Sequence, residues 1–199
     1  MKDTYKTIAA SGTGEYKEKG SKFIAYTFAV YTEIEVKQRL EELKKEHFRA
    51  RHHCYAYRLG LEGDRFRIND AGEPSGTGGR PILGQIDSFG LTNILSVVVR
   101  YYGGTKLGTS GLKRAYKEAT KDAFLQAKIV EKIIKDQFTI SFDYSVTSDV
   151  MNYLKAEGIT ILDTNYDKKA ALKVSIRQND VPKFIETIES IIGVKIIEK

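Results

Sequence analysis

Apolar positions along this chain change period repeatedly, and each change marks an element. Residues 15–19 and 22–30 read as strands around Gly20-Ser21, the second rich in Phe23, Ile24, Tyr26, Phe28 and Val30. Thr32-Glu33-Ile34-Glu35 has capping-box spacing and predicts a helix start. Val36, Leu40 and Leu43 follow at i, i+4 and i+7, with Glu35/Arg39 and Glu41/Lys45 paired on the wet side. Residues 51–59 and 65–69 predict a hairpin. Ile82, Ile86 and Phe89 trace a helix face that Gly90 ends. Residues 95–102 form a strand whose run Val97-Val98-Val99 predicts burial on both faces. A helix follows from Thr109 or Ser110 to about Ala127, with Leu112, Tyr116, Ala119 and Ala123 on one face.

Beyond residue 136 the order is strand 137–144, helix 148–157, strands 160–166 and 170–177 joined at Asp167-Lys168-Lys169, helix 180–192 and strand 194–197. This βαββαβ order is the ferredoxin-like split unit. It holds no His, Cys or glycine-rich loop and carries no evident chemistry. The chain therefore divides into residues 1–132 and 136–199, with the boundary near 129–137 and no shared core.

Charge sharpens that division. Residues 1–135 carry 24 Lys+Arg against 16 Asp+Glu, while residues 136–199 carry 8 against 10. A polyanion would meet the first part. Hydrophobic residues make up 41% of the chain, enough for a core. No apolar run approaches the length of a membrane span, and no signal peptide is evident, so no membrane partner is expected. The lone Cys54 excludes an internal disulfide and fits a reducing cytoplasm.

The chemistry concentrates in two glycine-rich loops. The first runs Asp70-Ala71-Gly72-Glu73-Pro74-Ser75-Gly76-Thr77-Gly78-Gly79-Arg80-Pro81, and the second Arg100-Tyr101-Tyr102-Gly103-Gly104-Thr105-Lys106-Leu107-Gly108-Thr109-Ser110-Gly111-Leu112-Lys113-Arg114. Each leads into a helix, and helix N-termini beside cations present N–H groups and positive charge to an anion. The expected nucleic-acid or anion site comprises Arg80, Arg100, Lys106, Gly108, Thr109, Ser110, Gly111, Lys113 and Arg114. Asp70, Glu73, Ser75, Gly76, Thr77, Gly78 and Gly79 form the motif loop beside it. The amides of 108–112 and the side chains of Lys106, Lys113 and Arg114 should converge, with Arg80 and residues 75–79 close by.

Enzyme signatures fail on specific residues. Gly103 and Gly108 have P-loop spacing, but Thr109 stands where the lysine is required. Pro81 occupies the last glycine of a dinucleotide motif. His52 and Cys54 share a strand face, yet two ligands make no zinc site and no third group completes a nucleophile, so Cys54 reads as a buried small hydrophobe. Asp70 and Glu73 read as turn caps rather than Mg²⁺ ligands. No metal or cofactor is expected. Tyr101 and Tyr102 beside Arg100 can stack on bases, with one of the two facing the core.

The two loop motifs resemble the signature of the YigZ/IMPACT family, as do Ser21-Lys22-Phe23-Ile24-Ala25 and Arg51-His52-His53-Cys54. The tail is similar to the extra domain of bacterial members. The resemblance implies an α+β protein: an N-terminal ribosomal protein S5 domain 2-like domain, then a ferredoxin-like domain similar to the last domain of elongation factor G. It also implies translational control. Eukaryotic relatives compete for the activator of a kinase that phosphorylates an initiation factor, a partner not expected in a bacterium. The domains of bacterial members resemble those of ribosome-binding factors, which implies RNA, the ribosome or a ribosome-associated protein as partner. Ala71 departs from the family pattern where a second acid is common. Ser110 and Lys113 replace a small and an aliphatic residue. The reading is a non-catalytic, translation-linked binding protein. The alternative is a small-molecule phosphate-handling enzyme, because kinases of the S5-like fold hold ATP on a loop similar to 107–111.

Overall fold

The computed structural model describes residues 3–166 and 169–198. Asp167 and Lys168 of the expected 167–169 turn lie outside the described residues. The chain divides into two units, one of residues 5–132 and one of residues 3–4 with 133–198.

In the first unit, β2 (Thr13–Glu18), β3 (Ser21–Ala29), β4 (His52–Leu59), β5 (Arg65–Asn69) and β6 (Ile94–Tyr101) form an antiparallel sheet in the order β2-β3-β6-β4-β5. Lys19 and Gly20 turn the first hairpin with φ of 44° and 79°, the geometry of a two-residue turn that matches strand twist. Helix α1 (Glu33–Glu46) covers one face, packing Val36 and Leu43 against Tyr57, Leu59, Leu95 and Val97. Thr32 caps it as its spacing requires, accepting the Glu35 amide at 3.2 Å, while the Glu35 carboxylate takes the amide of Tyr31. Arg39 pairs with Glu42, one turn on.

Helices α2 (Gly79–Phe89) and α3 (Gly108–Gln126) cover the other face, on Phe23, Ala25, Cys54, Ala56, Ile94 and Val98. Val97 and Val98 point to opposite helical layers, so the unbroken valine run is buried on both faces. Gly90 ends α2 at φ 65°. Gly12 and Gly14 let the β2 edge lie on α3 backbone to backbone: a Cβ at Gly14 would stand 2.3 Å from the amide nitrogen of Ala123.

Strands β1 (Thr4–Ala10) and β7 (Lys128–Ile133) pair as a separate two-stranded sheet that the apolar pattern does not announce. The expected boundary near 129–137 thus overlaps a regular strand, β7. In the second unit, β8 (Lys135–Phe142), α4 (Thr147–Ala156), β9 (Thr160–Tyr166), β10 (Ala170–Arg177), α5 (Val181–Ser190) and β11 (Val194–Glu198) follow the βαββαβ order. Their sheet runs β11-β8-β10-β9 and packs Phe138, Ile140, Phe142, Leu172 and Val174 on Leu154, Phe184 and Ile188 of the helices.

Candidate nucleic-acid interface

The two glycine-rich loops do different things. The first closes on itself. Asp70 Oδ1 accepts the amides of Gly78 and Gly79 at 2.9 and 2.8 Å, and its Oδ2 accepts Gly76 at 2.8 Å. The chain's own carboxylate therefore fills the anion position at the start of α2. Burial pushes that carboxyl up, but the three amides and the nearby Arg80 outweigh it and hold it below the usual carboxylate range. Gly78 is required by proximity: a Cβ there would meet Cys54 Sγ at 2.6 Å.

Beneath this loop lies a buried polar cluster. Glu73 Oε1 accepts Arg100 Nη1 at 2.6 Å and the Tyr116 hydroxyl at 2.9 Å. The Glu73 and Arg100 side chains are 4% and 7% exposed. The Arg100 guanidinium lies 5.4 Å from the ring centres of both Phe23 and Tyr102, while its Nε has no partner. Cys54 donates to the Asp70 carbonyl at 2.9 Å, and burial pushes its thiol up to about 12. Burial also drives the Tyr116 hydroxyl far above its ordinary value, reinforced by Cys54 and Glu73. His52 Nδ1 bonds the Ala71 carbonyl at 2.9 Å. On the opposite face of β4, His53 is buried with Nε2 unpartnered, and burial lowers its pKa.

The second loop stays open. Helix α3 begins at Gly108 with no side-chain cap and no acid in its first turn. Its start forms a groove of about 670 Å³ with Arg51, His52, Glu73, Pro74, Arg100, Tyr102 and Lys106, and Leu107, Thr109 and Leu112 complete the walls. Tyr102 is 56% exposed, whereas Tyr101 turns inward and its hydroxyl meets His47 Nδ1 at 2.8 Å.

Of the expected site residues, Arg100, Lys106, Gly108, Thr109 and Glu73 come together here. Arg80, Ser110, Gly111, Lys113 and Arg114 are not among the walls, and two parts of the expected convergence are corrected. Residues 75–79 do not offer their amides outward, because Gly76, Gly78 and Gly79 are already held by Asp70. Arg114 is drawn to the β2 hairpin by an ion pair with Glu18. Ser75 is exposed, and Thr77 is buried with its hydroxyl donating to the Pro74 carbonyl at 2.6 Å. Sequence reasoning missed Arg51 as a wall residue. The signal was positional: His52 lies opposite Arg100 in the β4–β6 register, which brings the start of β4 to the end of β6.

The Impact N-terminal domain model matches residues 19–124, which hold both loops and the groove. A relative from Bacillus subtilis, IMPACT family member YvyE, is 31% identical over 186 residues, covering 94% of this chain and 86% of that protein. The chain belongs to the IMPACT family. Escherichia coli YigZ, another family member, is 34% identical over 147 residues, covering 73% of this chain and 72% of its own. A domain of unknown function, DUF1949, matches residues 140–192 in the second unit. A solved structure described as a hypothetical protein superposes with TM-score 0.73 at 28% identity, covering 100% of this chain and 98% of its own. The family assignment and the two-part α+β architecture agree with what the loop motifs imply. Among the described residues, no helix is long and apolar enough to cross a membrane.

Proposed function

We propose that this protein is a non-catalytic, translation-linked binding protein that takes RNA, on the ribosome or off it, in the groove at the start of α3. One observation carries the reading: the uncapped N-terminus of α3 opens into a groove with Arg51 and Lys106 on its walls, while its one acid, Glu73, is already neutralised by Arg100. A helix N-terminus carries roughly half a positive charge and attracts phosphate. The net positive charge of residues 1–135 adds long-range attraction. The translational role that the resemblance of the loop motifs implies points the same way.

Three of the candidate acid–base groups support binding over catalysis, since each of the three is engaged internally. Asp70 holds three amides, Glu73 holds Arg100 and Tyr116, and the Cys54 thiol is buried and hard to ionise. Transfer chemistry needs a base poised near neutral pH. Among the described residues of the second unit, a cleft of about 100 Å³ holds Arg177 and Lys183 ion-paired to Asp3 and Glu157.

Fluorescence anisotropy with a labelled RNA oligonucleotide tests the reading. Arg51→Gln with Lys106→Gln should weaken binding of every sequence alike and flatten log K against log salt by about one unit per lost phosphate contact. Lys113→Gln should change little. Parental affinity and salt slope in the Arg51/Lys106 variant would displace the interface from the groove.

A further inference from the structure

Resting on that reading, we infer that the groove takes a single unpaired nucleotide of an RNA strand, its base against Tyr102 and its phosphate at the start of α3, and does not take duplex. Tyr102 supplies the stacking surface. It follows β6 directly, so the register of the central strand fixes its position, yet its ring is 56% exposed. Exposed aromatic rings on a basic wall are what strand-binding proteins use to stack bases.

The ring is also prepared from behind. Arg100 lies 5.4 Å from its centre and equally far from that of Phe23, so the guanidinium is sandwiched between the two rings. Arg100 is anchored by Glu73 and is 6% exposed, and its Nε has no partner in the fold. A buried guanidinium on the wall of an open groove, its charge balanced by Glu73 and one N–H unspent, is a polar group for which the fold supplies no full set of partners. Holding Tyr102 from one face reduces the ordering that stacking on the other would cost.

The groove walls are segregated as a nucleotide requires. Pro74, Leu107, Leu112 and the Tyr102 ring supply apolar surface for a base, while Arg51, Lys106 and the amides at Gly108 and Thr109 supply the phosphate end. Its volume of about 670 Å³ lies within the range of about 300–1,000 Å³ typical of small-ligand sites, and suits one nucleotide rather than a helix. In A-form RNA the bases are stacked on each other and their faces are hidden, so a duplex offers such a groove only its backbone. A free nucleotide shares this chemistry, and the net charge of residues 1–135 favours the polymer, whose further phosphates a mononucleotide lacks.

The test uses the full chain with a 5′-phosphorylated single-stranded RNA octamer, the same sequence as a duplex, and AMP and ATP as competitors. The octamer should bind more tightly than the duplex. Tyr102→Ala should weaken octamer binding about tenfold, the order expected for one lost stack, and Tyr102→Phe should restore it. Duplex binding should not respond to either change. Circular dichroism should show all variants folded, as expected for an exposed ring. Equal affinity for duplex and octamer, or a Tyr102→Ala variant unchanged while Arg51→Gln/Lys106→Gln is weakened, would overturn the unpaired-nucleotide inference and leave the groove as an RNA site. AMP or ATP displacing the octamer at equal concentration would overturn RNA as the ligand in favour of free nucleotide. No binding of either RNA would defeat the underlying reading itself.

Discussion

Replacing Glu73 by Gln removes one charge from a buried pair while nearly preserving shape. The Glu73 and Arg100 side chains are 4% and 7% exposed and meet at 2.6 Å. Removing one partner of a buried pair typically costs about 3–5 kcal/mol, because the other charge is left uncompensated. Gln keeps an acceptor for the Tyr116 hydroxyl, and Arg100 borders an open groove where water can relax around it. Both features move the expected loss to the bottom of that range or just below it, about 2–3 kcal/mol. Urea denaturation followed by circular dichroism, together with native-state hydrogen exchange of the β6 amides, would measure it in the correct unit. Adding Arg100→Met removes the stranded charge and should recover most of the loss. The same Glu73→Gln change leaves the groove one charge more positive, so RNA affinity should rise at low salt even as stability falls. A variant as stable as the parent within about 0.5 kcal/mol would refute the ion pair as a structural element. Weaker RNA binding in a folded variant would refute neutralisation as the role of Glu73.

Asp70→Ala strips the acceptor from three amides at the start of α2 and should cost about 2–3 kcal/mol in chemical denaturation. Because the Asp70 carboxyl is held below its unfolded value, its stabilisation is present above about pH 4 and is lost as pH falls through the lowered value. The acid-side decline in stability should therefore be shallower in Asp70→Asn than in the parent. Gly14→Ala drives a Cβ to 2.3 Å from the α3 backbone and should destabilise the first unit by more than about 2 kcal/mol in thermal unfolding, with α3 amides losing exchange protection.

Most elements of this fold are legible in the sequence because their apolar periods are clean and their ends are marked. Thr32, Gly90 and the valine run of β6 each state a local rule that the structure obeys. The β1–β7 pair is not legible: its burial alternates weakly, and nothing local announces that Thr4–Ala10 will meet a strand more than a hundred residues away. The candidate site is half legible for a related reason. Glycines and cations mark both loops, but a sequence does not say whether a loop's amides are free or already taken. Asp70 takes those of the first loop, and only the folded geometry reveals that. Likewise, Arg114 reads as a helix-start cation until the β2 hairpin brings Glu18 to it. Arg51 enters the site through strand order, which periodicity does not encode.

The central claim, that the open start of α3 is the nucleic-acid interface, is tested most directly by amide chemical-shift mapping of the full chain on addition of single-stranded RNA. Saturable shifts are expected at Tyr102, Lys106, Gly108 and Thr109, lost in Arg51→Gln/Lys106→Gln, with the Asp70-bound amides of Gly76, Gly78 and Gly79 moving far less. Shifts centred on the second unit, or on Gly76–Gly79 with α3 silent, would contradict it.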